Sequence, residues 1–219
     1  MRDMAASDLR RALRRHGPLI VATGVAALVV TWATEARAGT ALRARPISPK
    51  SPAFPDEQLG HATLTRALQD LDVRETGYNE GPRIGEYQAL VGLESGQPWC
   101  AAAIAKWMHE AADVLGVEPP IQGSGSSLTT REQFKEAGLW VPIEEIRSRS
   151  LHVEPGSIVI WQRPEAGPWK GHIAVVENWD NGQQLVSSID GNSGPTGDRV
   201  ARRSRSVTDP NLLGVGLLL

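Results

Sequence analysis

Residues 96–116 read GQPWCAAAIAKWMHEAADVLG, and the reading of the whole chain turns on them. From Ala101 to Leu115 the text is rich in strong helix formers, and Gly116 is a natural C-terminal stop. The expected helix therefore places Cys100 on its first turn. Unpaired N–H groups and the helix dipole favour a thiolate at that position, and the same donors can hold an oxyanion. Cys100 is also the only cysteine among 219 residues, so no intramolecular disulfide can form. A free cysteine is most often a small buried residue. A nucleophile needs in addition a base within hydrogen-bond reach and a group that orients the base.

Five histidines are available as the base. His16 lies in the N-terminal segment, His61 at the edge of the folded region, and His109 about two and a half turns along the helix from Cys100. His152 precedes a loop proline. His172 differs, because it opens the apolar run Ile173-Ala174-Val175-Val176 directly after Gly171, which puts its ring at the rim of a sheet. The run Ile189-Asp190-Gly191-Asn192 follows one strand later. Alternation sets Asp190 and Asn192 on one face, roughly 6 Å apart, where either can accept the imidazole N–H. The same four residues also make an ordinary turn.

Upstream of Cys100, Leu64, Leu68 and Leu71 recur at helical spacing, as do Ile84, Tyr87, Leu90 and Val91 behind Gly81-Pro82. A shorter helix is expected over 130–137. Beyond it the period changes. Short strands are expected over 157–161, 172–179, 184–189 and 199–203, with Asn181-Gly182 as a hairpin signal. Helices followed by an antiparallel meander make an α+β domain with N-terminal helices packed on the sheet.

At the N-terminus, four arginines between Arg10 and Arg15 precede the apolar run Pro18 to Ala33 and then Ala36-Arg37-Ala38, the order of an export signal. Residues 1–38 are expected to be a signal peptide cleaved after Ala38, or alternatively an uncleaved membrane anchor. Either outcome exports the remainder to the periplasm or the extracellular space, with attachment to the inner membrane if the segment stays. Residues 39–58, with Pro46, Pro49, Pro52 and Pro55, read as an extended tether to a domain at 59–219. Setting aside residues 1–38, with six basic and three acidic side chains, leaves 17 basic against 22 acidic, a net of −5. Such a body has no general attraction for nucleic acid.

The block NEGPRIGEYQALVGLESGQPWCAAAIAKW, followed in order by EPGSIVIW, GHIAVVE and IDGNSG, resembles the cysteine, histidine-dependent amidohydrolase/peptidase (CHAP) family over about residues 60–219. The resemblance implies a papain-like fold, with Cys100 as nucleophile, His172 as general base and a sheet of about five strands. In many relatives the third motif reads Glu-Gly-Asn. Here it is Asp190-Gly191-Asn192, and either Asp190 or Asn192 orients His172. Some relatives carry an acidic calcium loop just before the cysteine. Glu94 to Trp99 does not resemble it, so neither metal nor other cofactor is expected.

CHAP relatives mostly cleave bacterial peptidoglycan, at the sugar–peptide amide or within the stem peptides, so an exported peptidoglycan hydrolase is the expectation. Trp99 and Trp169, beside the site motifs, are expected to flank a groove for sugar and peptide. Two other readings compete: a catalytically silent envelope-binding domain, and a cysteine amidase acting on non-wall peptides.

Overall fold

A computed structural model describes residues 55–167 and 170–218. The signal-like segment and most of the proline-rich tether lie outside them. The first helix, α1 (Pro55–Gln69), begins inside the last residues read as tether. Helix α2 (Pro82–Leu90) opens on Pro82, whose fixed φ and missing N–H suit a first turn. Helix α3 (Cys100–Leu115) is the alanine-rich stretch, and Gly116 closes it at φ 67° with its N–H on Ala112 and Asp113 carbonyls. Helix α4 (Ser127–Glu136) is capped by the Ser126 hydroxyl, which accepts from the Thr129 N–H.

The sheet combines β1 (Trp140–Pro142), β2 (Ile158–Gln162), β3 (Gly171–Asp180), β4 (Leu185–Ser193), β5 (Arg199–Ser206) and β6 (Leu212–Gly216), in the order β1-β6-β2-β3-β4-β5. Every neighbouring pair is antiparallel. A short helix, α5 (Ile143–Arg149), follows β1. The described residues therefore form an α+β domain with five helices and six strands. Strands β2 to β5 are the expected meander. Two strands were not foreseen: β1, three residues ending in Pro142, and β6, which returns to lie between β1 and β2.

Alternation along the strands divides the core in two. Ile158, Ile160, Ile173, Val175, Ile189 and Val200 pack with α1, α2, α3 and Phe134 of α4. Val159, Trp161, Ala174, Val176 and Val186 form a second cluster with Ile143 and Ile146 of α5. Helix α3 is buried on most of its circumference, including Ala101 to Ala105, Trp107 and Met108. Its small side chains let neighbours approach closely. A Cβ on Gly123 would stand 2.6 Å from the Ala105 Cβ, and one on Gly191 would stand 2.9 Å from the Ala103 Cβ.

One carboxylate ties the helical layer together. A single oxygen of Asp70, Oδ2, accepts from Arg83, the Tyr87 hydroxyl (2.7 Å) and the Trp107 indole N–H (2.7 Å). Arg83 also bonds Glu110 of α3 through two nitrogens, at 2.8 Å each. These bonds join the end of α1 to α2 and α3, so the start of α3 is set by the whole layer.

Candidate active site

Cys100 is the first residue of α3 and is partly exposed. The chain enters it through Trp99, whose ring is fully buried and stacks on Tyr87 at 5.6 Å. The Trp99 indole N–H donates to Glu75 Oε1 at 2.9 Å. Trp99 therefore supports the helix start from beneath, and the expectation that it flanks a substrate groove is corrected: an indole with no exposed surface cannot line one. Trp169 lies outside the described residues.

His172 is the second residue of β3 and alternates with Ile173, which faces the helices, so its ring emerges on the other side of the strand at the sheet's end. Only 2% of it is exposed. Its Nε2 lies 2.6 Å from Asp190 Oδ2 on β4. A carboxylate only accepts, so Nε2 carries the proton and Nδ1 is the basic nitrogen of the neutral ring. That Nδ1 is buried and meets no partner at hydrogen-bonding geometry. The Cys100 thiol nevertheless interacts with the same ring closely enough that each shifts the other's proton affinity. Such nucleophile and base pairs are often loose before substrate binds.

The charges around this pair are mutually supporting. Burial would push the Cys100 thiol up, but the nearby His172 ring, the charge of Arg163 and the Ala101 amide together hold it below the ordinary thiol value. Burial likewise disfavours the imidazolium, and Asp190 and Cys100 overcome that, raising His172. Asp190 is fully buried, yet His172 and Arg205 hold its carboxyl down at about 2. All three shifts favour a thiolate–imidazolium pair over two neutral groups.

Asp190 and Asn192 turn out to have different tasks. Strand β4 carries an irregularity between Asp190 and Ser193, and Asn192 takes a left-handed φ of 51°. Simple alternation fails there, so the expected shared face does not exist. Asp190 reaches His172. Asn192 faces the helix start: its Oδ1 accepts from the Trp99 N–H at 3.3 Å, and its amide donates toward Glu75 Oε1, Asn79 Oδ1 and the Gly197 carbonyl. The open choice between the two is resolved, with Asp190 on the imidazole and Asn192 as a latch between β4 and the residue preceding Cys100.

Three contributors were missed from the sequence. Glu75 joins Trp99, Asn192 and the Asn79 N–H. Arg205 donates to Asp190 Oδ2 at 2.6 Å, and the Ser188 hydroxyl to Oδ1 at 2.6 Å. Glu75 stands 25 positions before the cysteine, and Arg205 is one of four arginines on β5, so neither had a local signal. Among the described residues no group of three or more His, Cys, Asp or Glu side chains is placed to hold a metal ion.

Compared with known protein families, with curated proteins and with solved structures, the chain finds no match in any of the three.

Proposed function

We propose that this chain is a papain-like cysteine hydrolase of CHAP type that cleaves amide bonds in bacterial peptidoglycan outside the cytoplasm. The observation that carries the reading is the buried His172–Asp190 pair whose free Nδ1 belongs to the ring that acts on Cys100 at the start of a helix. An imidazole fixed on one nitrogen by a carboxylate, with the other left for a thiol, is the arrangement that nucleophilic catalysis on an acyl group requires.

The thiolate of Cys100 attacks the amide carbonyl, and the electron pair of the C=O bond moves onto oxygen. N–H groups on the first turn of α3 stabilise that oxyanion. As the tetrahedral species collapses, the imidazolium of His172 gives its Nδ1 proton to the departing amine, and a thioester remains on Cys100. Water then attacks the thioester with His172 taking its proton, which releases the carboxylic acid and restores the thiol. Asp190 keeps the imidazole in the working tautomer throughout. The peptidoglycan substrate and the exported location rest on the ordered motifs and the N-terminal sequence.

The test is digestion of purified peptidoglycan by the protein and by Cys100→Ala, with products identified by mass spectrometry. New amine and carboxyl ends made only by the thiol-bearing protein are the expected result, and their position names the bond. Cleavage of synthetic peptides with intact sacculi untouched would move the substrate away from the wall. Equal and undiminished wall binding by both proteins, with no cleavage of anything, would make the domain a silent binder.

A further inference from the structure

The hydrolase reading assigns Cys100, His172 and Asp190 but leaves unexplained what stands behind Asp190. An isolated carboxylate with no exposed surface is costly to bury and is retained only when its lone pairs are occupied. The occupant on the far side is Arg205. Its Nη2 donates to the same oxygen, Oδ2, that His172 Nε2 uses, and both distances are 2.6 Å. The other carboxylate oxygen takes the Ser188 hydroxyl, which itself accepts from Arg205 Nη1 at 3.3 Å. The guanidinium lies over the Trp161 ring, 4.6 Å from its centroid, and Trp161 is paired with His172 across β2 and β3. Arg205 is thus seated on three sides: by the carboxylate, the hydroxyl and the indole face.

We propose that Arg205 is a positioning residue of the site, which holds the Asp190 carboxylate against His172 and offsets part of its negative charge, so that Asp190 orients the imidazole without retaining its proton too strongly. This rests on the hydrolase reading for its purpose, although the geometry is independent of any substrate. The charged groups facing the pair come from four elements: Cys100 from α3, Arg163 from the turn after β2, Asp190 from β4 and Arg205 from β5. Arg163 acts on the thiol, whereas the carboxylate is compensated by His172 itself and, behind it, by Arg205. Removing the guanidinium exposes the imidazolium to a full negative charge and deletes a nearby positive one. Both changes strengthen the protonated form of His172.

The experiment is an NMR pH titration of the His172 ring in the full-length protein, with Arg205→Gln and Arg205→Lys beside it. The Gln variant should titrate about one pH unit higher than the unaltered protein. Lysine keeps the charge but not the forked reach to Asp190 and Ser188, so its midpoint should fall between the two. The alkaline limb of hydrolysis should move in the same order. A folded Gln variant with an unmoved His172 midpoint overturns the proposal, even if its melting temperature falls, because that would be a merely structural arginine. If the Gln variant does not fold, Arg205→Met takes its place in the titration, and an unmoved midpoint there overturns the proposal equally. The titration needs no substrate, so a protein that cleaves neither peptidoglycan nor peptides sinks the hydrolase reading and still returns an answer on Arg205.

Discussion

At the scale of single residues, a thiol, an imidazole and a carboxylate are each ordinary, and their properties here come from who stands beside them. Burial alone would make Cys100 a poor nucleophile, and only its histidine, with Arg163 and the helix amides, brings the thiol below its usual value. Alkylation of Cys100 should therefore reach half its maximal rate below the pH of a free thiol. In His172→Gln that midpoint should rise, because the group that holds the thiol down is gone. Iodoacetamide kinetics across pH, followed by intact mass, measure it, and identical profiles for the two proteins would show that the ring does not act on the sulfur. Asn192 makes the complementary point: it carries as much hydrogen-bonding capacity as Asp190, but its left-handed backbone aims the amide at Trp99 and Glu75.

At the scale of elements, the distance between Cys100 and His172 is set by how closely α3 lies on β4. Gly191 is a point of close approach, since a Cβ there would stand 2.9 Å from the Ala103 Cβ and 3.0 Å from the Trp99 ring. Its φ is not in the left-handed region, so space alone excludes a side chain. Gly191→Ala should push the first turn of α3 away from the sheet by a few tenths of an ångström. Overpacking of this kind costs about 1–3 kcal/mol, and misplacement of a nucleophile should lower kcat/KM by at least about tenfold. Thermal unfolding together with kcat/KM decides it. A variant matching the parent in both would mean that the helix yields without moving the thiol.

At the scale of the whole molecule, the site is also a pH-dependent part of the fold's stability. A carboxyl held at about 2 when folded, against about 3.9 when unfolded, stabilises the protein above the unfolded value and ceases to do so as pH falls toward the folded one. For Asp190 this amounts to about 2–3 kcal/mol, lost mainly between about pH 4 and pH 2. Urea unfolding at several pH values should show that loss in the parent and not in Asp190→Asn, the other carboxyls being common to both. Parallel acid dependences in the two proteins would place the acid sensitivity elsewhere. His172 has the opposite sign: its folded-state value is raised, so its contribution is present at low pH and is lost as pH rises through that value.

Much of this organisation was legible in the chain itself. The alanine-rich helix with its glycine stop, the switch to period-two strands, and the placement of His172 at a strand start all follow from local propensity and alternation, which short windows record faithfully. The tertiary structure decided what depends on distant partners. Strand β6 exists because β1 and β2 bond it on both sides, not because Leu212–Gly216, with two glycines, favours extension. Trp99 is buried because Tyr87, 12 residues earlier, and Glu75, 24 residues earlier, meet it from a separate helix and loop. Asp190 rather than Asn192 holds His172 because a strand irregularity breaks alternation between them. Arg205 differs from the other arginines of β5 only through the carboxylate it reaches, 15 residues earlier in the chain. Local sequence sets backbone preference within a few residues, whereas burial, charge compensation and side-chain direction at a site are properties of the packed assembly.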